Sequence, residues 1–292
     1  DGLVPPFTSP LESFYTVDID LNNPAPSTDA WSLTIHGAVE TSVEVDYAAL
    51  QSVDPVSAYD TLRCVSDSVG GDLIDTALWT GVPLARYVDR AAPHADASQV
   101  VATCADGYEV AFPRDALTDA FLAYGMNGRP LPRGHGRPVR LLVPGHWGEA
   151  NAKWITDLRF TTETVEGYWE QRGWHGTGPV EPVAKIRGTR VNGDRVTVGG
   201  VAYAGTRGVD RVEVSPDGGD TWRDATLSQR LSDGLTVAGD VWRQWRYEWS
   251  GAAGSHTVLA RVVTDDGTVQ SPNTHAPYPS GATGYDETTV NV

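Results

Sequence analysis

Cys64 stands in the stretch TLRCVSDSVGGDL, residues 61–73, and is one of two cysteines in 292 residues. A lone cysteine ahead of a Ser/Gly-rich turn can be a buried hydrophobe, half a disulfide, a nucleophile or a metal ligand. Its immediate neighbours leave all four roles open. Chemistry-bearing side chains gather in three further segments: SFYTVD (13–18), FLAYGMNGRPLPRGHGRPVRLLVPG (121–145) and GEANAKW (148–154). The run 121–145 is the densest, with Tyr124, His135 and Arg140 among several Gly and Pro. Arginine offers a fork for phosphate, histidine a tunable donor or acceptor, and glycine room for close backbone approach. Common alternatives are missing: there is no C-x-x-C, H-E-x-x-H, G-x-S-x-G or P-loop, which argues against the usual zinc, serine-hydrolase and nucleotide readings.

The elements that must position these residues are short. Residues 1–30 are Pro-rich and read as an extended arm. AWSLTIHGAVE alternates apolar and polar and predicts a strand. VDYAALQSV predicts a short helix, and DALTDAFLAYGMNG has helical spacing that would end at Gly125 or Gly128. RPVRLLVPG predicts a strand closed by a Pro-Gly turn. Cys104, in VVATCADGYEV, falls on a strand and reads as a small core residue rather than a disulfide partner of Cys64. Beyond GWHGTGPVEPVAK the pattern becomes strand, turn, strand, with Asp-Gly hairpin chemistry in SPDGGDT and TDDGT. The chain therefore divides near Pro182 into a mixed α+β, β-rich domain (1–181) and an all-β immunoglobulin-like sandwich (182–292) of about seven strands.

Composition narrows the partners. Ten Trp and eleven Tyr supply real cores, so disorder is excluded. A net charge of −16 argues against nucleic acid and against anionic membrane surfaces. Lys153 and Lys185 are the only lysines; an acidic, lysine-poor surface fits a high-salt habitat or a GC-rich genome. No apolar run approaches the roughly 20 residues that span a bilayer, so the chain is expected to be soluble. It opens abruptly at Asp1, which leaves room for a leader or membrane anchor removed upstream.

AYGMNGRPLPRGHGRPVRLLVPG, followed by NAKW and preceded by RCVSDSVGGD, resembles the sulfite oxidase family of molybdopterin enzymes. The likeness covers nearly the whole chain; VDRVEVSPDGGDTWRDATL and WRQWRYEW resemble that family's immunoglobulin-like dimerisation domain. The resemblance implies one molybdenum-molybdopterin per chain, with the Cys64 thiolate ligating the metal. It implies that His135 faces the pterin and Arg140 its polar or phosphate end. Asn151, Ala152 and Lys153 would contact the cofactor, as would Asp106 and the segment Phe14, Tyr15, Thr16, Val17 and Asp18. Tyr124 would line the substrate pocket, its phenol within reach of an oxo group or water on the metal. His146, Trp147 and Glu149 would form a pocket rim, and Trp79 would pack the core or cover the cofactor. The implied reaction moves an oxygen atom and two electrons between a small substrate and the metal, cycling Mo(VI)/Mo(IV). No heme motif is evident, so single electrons would pass through a separate cytochrome or membrane subunit. A homodimer through the second domain and an extracytoplasmic location, with or without an upstream tether, are implied in the same way.

The chain departs from that family at one point. Sulfite oxidases carry arginines shortly after the metal cysteine and in the N-terminal cofactor segment. Here Cys64 is followed by Val65, Ser66, Asp67, Ser68 and Val69, and the N-terminal segment offers Val17 and Asp18. Charge-assisted hydrogen bonds contribute on the order of 1.5–3 kcal/mol each. Two lost bonds would weaken a sulfite dianion by about 3–6 kcal/mol, roughly two to four decades in affinity, and Asp67 and Asp72 would push the same way. The expected substrate is therefore one other than sulfite, as in the branch that includes bacterial periplasmic methionine-sulfoxide reductase subunits. The alternatives are a genuine sulfite oxidase or dehydrogenase, and a non-catalytic extracellular binding protein with a degenerate cofactor domain.

Overall fold

The computed structural model describes residues 2–232 and 234–292. In the first half the chain forms β1 (Ser32–Gly37), β2 (Val43–Asp46), α1 (Tyr47–Gln51), β3 (Val56–Arg63), β4 (Ile74–Pro83), α2 (Ala85–Ala91), β5 (Gln99–Cys104) and β6 (Glu109–Pro113). There follow β7 (Phe121–Met126), β8 (Arg129–Pro130), β9 (Arg140–Leu142) and β10 (Ile155–Thr161). One sheet runs β2-β1-β10-β5-β6, with β1 parallel to β10 and the other pairs antiparallel. A second runs β3-β4-β7-β8, and β9 pairs with β7 beside it. In β1, Leu33 and Ile35 are buried while Ser32, Thr34 and His36 are partly exposed, the period-2 pattern of a strand with one face on a core. α1 starts where the Asp46 carboxylate accepts from the Ala49 N–H at 2.7 Å, a side-chain N-cap. The predicted helix in VDYAALQSV is thus confined to its middle, and its first residues belong to β2.

The helix expected over DALTDAFLAYGMNG does not form. Arg114–Leu117 is a single 3-10 turn, and Phe121–Met126 is β7. The cause is burial on both faces. Leu122 packs into the core under the first sheet, whereas Phe121, Ala123 and Met126 pack with Trp79 and Phe14. A continuous apolar run of that kind carries no period that separates strand from helix.

The second half forms β11 (Val183–Asn192), β12 (Arg195–Tyr203), β13 (Val209–Ser215), β14 (Arg223–Asp224), β15 (Thr226–Leu227), β16 (Arg243–Ser250), β17 (Ser255–Thr264) and β18 (Asp286–Asn291). Two four-stranded sheets, β11-β12-β16-β15 and β14-β13-β17-β18, share one core. Val196, Val198 and Trp245 from the first sheet meet Val212, Val258 and Val262 from the second. The SPDGGDT turn is built around Asp217, which accepts from the Ser215 and Thr221 hydroxyls at 2.6 Å each; these bonds hold its pKa down to about 2.

The N-terminal arm joins the two halves. Pro5 and Phe7 carbonyls accept from Gln244 and Trp242 side chains, and the Ser9 carbonyl accepts from Asn127. Residues 14–19 then run along the cavity that Cys64 also lines. Tyr203 also donates to the Thr61 carbonyl at 3.0 Å, so β3, which leads into Cys64, is braced from the second half.

Candidate active site

β3 ends at Arg63, and Cys64 is the first residue beyond it, 8% exposed. A tight loop follows. The Cys64 N–H donates to the Leu73 carbonyl at 3.0 Å, and the Asp67 N–H donates to the Cys64 carbonyl at 3.1 Å. The Cys64 Sγ lies 3.0 Å from the Ser66 hydroxyl, and burial pushes the thiol pKa up. Cys104 is buried and free, so no disulfide removes the Cys64 sulfur.

Cys64 opens onto a cavity of about 230 Å³. Phe14, Tyr15, Thr16, Val17, Asp18, Asp106, His135, Arg140, Asn151, Ala152 and Lys153 line it as well, so five stretches of the sequence converge there. Arg140, on β9, is buried and donates to the His135 carbonyl at 3.2 Å and the Asn151 carbonyl at 2.8 Å. Its guanidinium lies 5.1 Å over the Trp79 ring, and burial lowers its pKa to about 10. His135 stands edge-on to Phe14 at 5.2 Å. Burial, then the charges of Arg140 and Lys153, lower its pKa to about 4, so the imidazole is neutral at neutral pH. Lys153 pairs with Asp18 and donates to the Val17 carbonyl at 3.1 Å, tying the arm across the opening. Asn151 and Asp106 spend side-chain oxygens on backbone N–H groups of Val143 and Tyr108; they shape loops as well as line the cavity.

Tyr124 requires a correction. It sits on β7, is absent from the cavity lining, and packs edge-on to Tyr47 at 6.2 Å. Its strand, not a helix end, turns it toward that neighbour. His146 packs at Gly178 and Trp147 is buried under the Arg63 guanidinium, so of the expected rim only Glu149 lines the cavity. Trp79 lies beneath Arg140 rather than over the opening. Asp67 and Asp72 do not oppose an anion in the cavity either. Asp67 is 1% exposed and paired with Arg63 and Lys185, while Asp72 pairs with Arg187; neither lines the cavity.

Ser66 lines the wall too, as do Ile19, Leu62, Tyr108, Trp169 and Trp174, which the sequence does not single out. Trp174 lies in the Gly/Pro-rich stretch GWHGTGPVEPVAK and Trp169 just ahead of it, and neither belongs to a motif. Both Glu149 carboxyl oxygens are buried without a hydrogen-bond partner. Burial, then Glu170, raise that carboxyl to about 8, so Glu149 holds its proton near neutral pH.

The donor set fits a molybdopterin. It offers a single soft sulfur, two cations suited to an anionic organic group, and a neutral imidazole able to bond a heterocycle. The Arg140 Nε is buried and unpartnered. Gly136, at φ +106°, leaves a gap that a Cβ would close to 3.0 Å from Lys153 and 3.1 Å from Arg140.

Residues 21–169 match the oxidoreductase molybdopterin binding domain, and residues 179–276 match the Mo-co oxidoreductase dimerisation domain. The chain belongs to the sulfite oxidase family of molybdopterin-binding oxidoreductases. Mitochondrial sulfite oxidase of Homo sapiens is 30% identical over 70% of this chain and 44% of its own length. Sulfite oxidase of Arabidopsis thaliana is 24% identical over 93% of this chain and 84% of its own. The chain thus spans less than half the length of the mammalian relatives it matches. The solved sulfane dehydrogenase SoxCD of Paracoccus pantotrophus shares the fold, with a TM-score of 0.71 at 21% identity over 85% of this chain and 70% of that one. Membership fixes the class of cofactor and leaves the residues around Cys64 to speak for the substrate.

Proposed function

We propose that this family member carries out two-electron oxygen-atom transfer on a small uncharged substrate, an S-oxide or N-oxide in the reducing direction, rather than on sulfite. The observation that carries this reading is the wall around Cys64. Besides Arg140 and Lys153 the lining carries no arginine or lysine among the described residues, and Arg63, the cation next to Cys64 in sequence, is buried against Asp67 and outside the lining. The two cations of the lining, Arg140 and Lys153, are the groups this reading gives to the anionic end of the cofactor, so neither is left for a substrate anion. A dianion entering here would find a protonated carboxyl and the aromatic rings of Tyr108, Trp169 and Trp174, not a charge-assisted clamp. The same wall suits an uncharged molecule with one oxygen acceptor.

When bound, the cofactor supplies the metal that exchanges the oxygen atom and both electrons. This chain's residues do the rest. Cys64 would hold the metal by its sulfur. Arg140 and Lys153 would hold the anionic end of the cofactor, and neutral His135 would bond the pterin. The proton on Glu149 Oε can be donated to a substrate oxygen. Reduction of an S-oxide consumes two electrons and two protons and releases the sulfide and water, so protons must reach this site.

We extend the proposal to one cofactor per chain, a homodimer through the second domain, a separate electron-transfer partner and an extracytoplasmic location. The dimerisation-domain match supports the dimer. The relatives named sulfite oxidase favour the second reading, oxidation of sulfite itself. The test is turnover of the molybdenum-loaded protein with sulfite, S-oxides and N-oxides, using artificial electron carriers. Sulfoxide or N-oxide reduction with feeble sulfite oxidation is expected. Robust sulfite turnover overturns the reading.

A further inference from the structure

The loop that carries Cys64 is held by the other half of the molecule. We propose that Lys185, on β11, is a positioning residue that fixes the cysteine loop, so that the second domain completes the metal site of the first. The proposal rests on the reading of Cys64 as the metal's protein ligand.

The Lys185 side chain is fully buried. Its Nζ reaches four oxygens: the Ser68, Val69 and Gly71 carbonyls at 2.9, 2.8 and 2.9 Å, and the Asp67 carboxylate at 2.7 Å. Three carbonyls of one turn converge on a single ammonium. Without that cation their dipoles would face each other in a dry interior. Asp67 links the ammonium to the cysteine. One of its oxygens takes Arg63 Nε at 2.9 Å, and the other takes the Leu73 N–H at 3.0 Å. Arg63 and Asp67 flank Cys64 on either side and pair with each other, and Asp67 joins that pair to the buried ammonium.

Arg187, two residues along β11, repeats the contact. It donates to the Gly71 carbonyl at 2.6 Å and to Asp72 at 2.9 Å. Asp286 of β18 accepts from the Ile186 N–H at 2.7 Å and stands against Gly70, where a Cβ would lie 2.9 Å from it. At Gly71 a Cβ would lie 2.7 Å from Asp67 and Ser68. The two glycines are therefore what let the turn close onto β11 and β18. Breaking one partner of a buried ionic network leaves uncompensated polar groups, and the segment relaxes locally.

The test uses the full chain with Lys185→Met and Arg187→Gln. Amide hydrogen exchange is followed by peptide in the metal-free protein. Molybdenum per chain and the electron paramagnetic resonance spectrum of the one-electron-reduced form are read in the loaded protein. Lys185→Met is expected to speed exchange at residues 64–73 by about tenfold or more, with β12 and β16 unchanged. The loaded variant is expected to hold less molybdenum and to show an altered spectrum. If Lys185→Met does not fold, Arg187→Gln decides through the same local exchange and spectrum. Exchange and spectrum both matching wild type in the folded variant overturn the proposal. Cys64→Ala separates the two readings: an unchanged electron paramagnetic resonance spectrum of the loaded protein there defeats the ligand assignment, whereas the loop-exchange result stands or falls without it.

Discussion

The Tyr15 hydroxyl lies so close to Gly148 that a Cβ on residue 148 would stand 2.6 Å from it and 3.3 Å from the Arg63 carbonyl. The arm, the end of β3 and the 148–154 loop thus meet at one point beside Cys64, and the contact depends on a residue without a side chain. Overpacking a fitted contact costs about 1–3 kcal/mol. Gly148→Ala is expected to displace Tyr15 and to lower molybdopterin retention about tenfold, measured as pterin released per folded chain. Wild-type retention would show that the arm is not needed to close the site.

The ion pair between Lys153 and Asp18 fastens the same arm from the opposite side. The lysine also donates to the Val17 and Gly134 carbonyls and lies 4.8 Å over the Trp154 ring. Burial lowers the lysine pKa, and Asp18 opposes that. Lys153→Met keeps the length of the side chain and removes its charge. Loss of charge-assisted bonds worth about 1.5–3 kcal/mol each predicts a cofactor affinity reduced about ten- to hundredfold. Asp18→Asn is expected to show a smaller loss. Equilibrium reconstitution of the metal-free protein, with unfolding midpoints measured in parallel, separates weaker binding from misfolding.

Much of the site is readable in the sequence because its residue types carry their chemistry with them. A cysteine before a Ser/Gly turn, a His and an Arg among glycines, and a lysine in a chain with two all converge on one cavity. What the sequence leaves hidden depends on neighbours far along the chain. Tyr124 carries the right functional group, yet β7 directs it to Tyr47, because the apolar run around it is buried on two faces. Trp169 and Trp174 join the wall from a part of the chain that carries no motif. Asp67 reads as a free acid until Lys185, more than a hundred residues away, is seen to neutralise it. The missing arginines after Cys64 were legible because a missing charge needs no partner to be noticed.

His135 makes the metal-free protein sensitive to mild acid. Its folded pKa is about 4, below the ordinary value near 6.5. Between those two values the unfolded chain binds the proton more tightly, so stability falls as pH drops from about 6.5 toward 4. Screening at a site open to the cavity limits the effect to about 1–2 kcal/mol. His135→Gln cannot take up the proton there. The stability difference between wild type and His135→Gln, from urea melts, is therefore expected to change across pH 6.5 to 4 and to stay constant above 7.

Glu149 works in the opposite direction. Its folded pKa of about 8 lies well above that of a carboxyl in an unfolded chain, near 4.3. The unfolded chain loses the proton first, so the contribution of this residue is intact below about pH 4.3 and declines as pH rises through 8. Glu149→Gln keeps the shape, carries no ionisable proton and leaves no charge to bury. Relative to wild type, this variant is expected to gain about 2–4 kcal/mol between pH 5 and pH 9 in the metal-free protein. The gain should level off above pH 8. A flat difference across that range would mean that the carboxyl is ionised and solvated at neutral pH. The wall around Cys64 would then bear a negative charge, and Glu149 could not donate the proton assigned to it. In turnover, the same variant is expected to lose oxide reduction by about ten- to a hundredfold, because an amide can orient a substrate oxygen but cannot give it a proton.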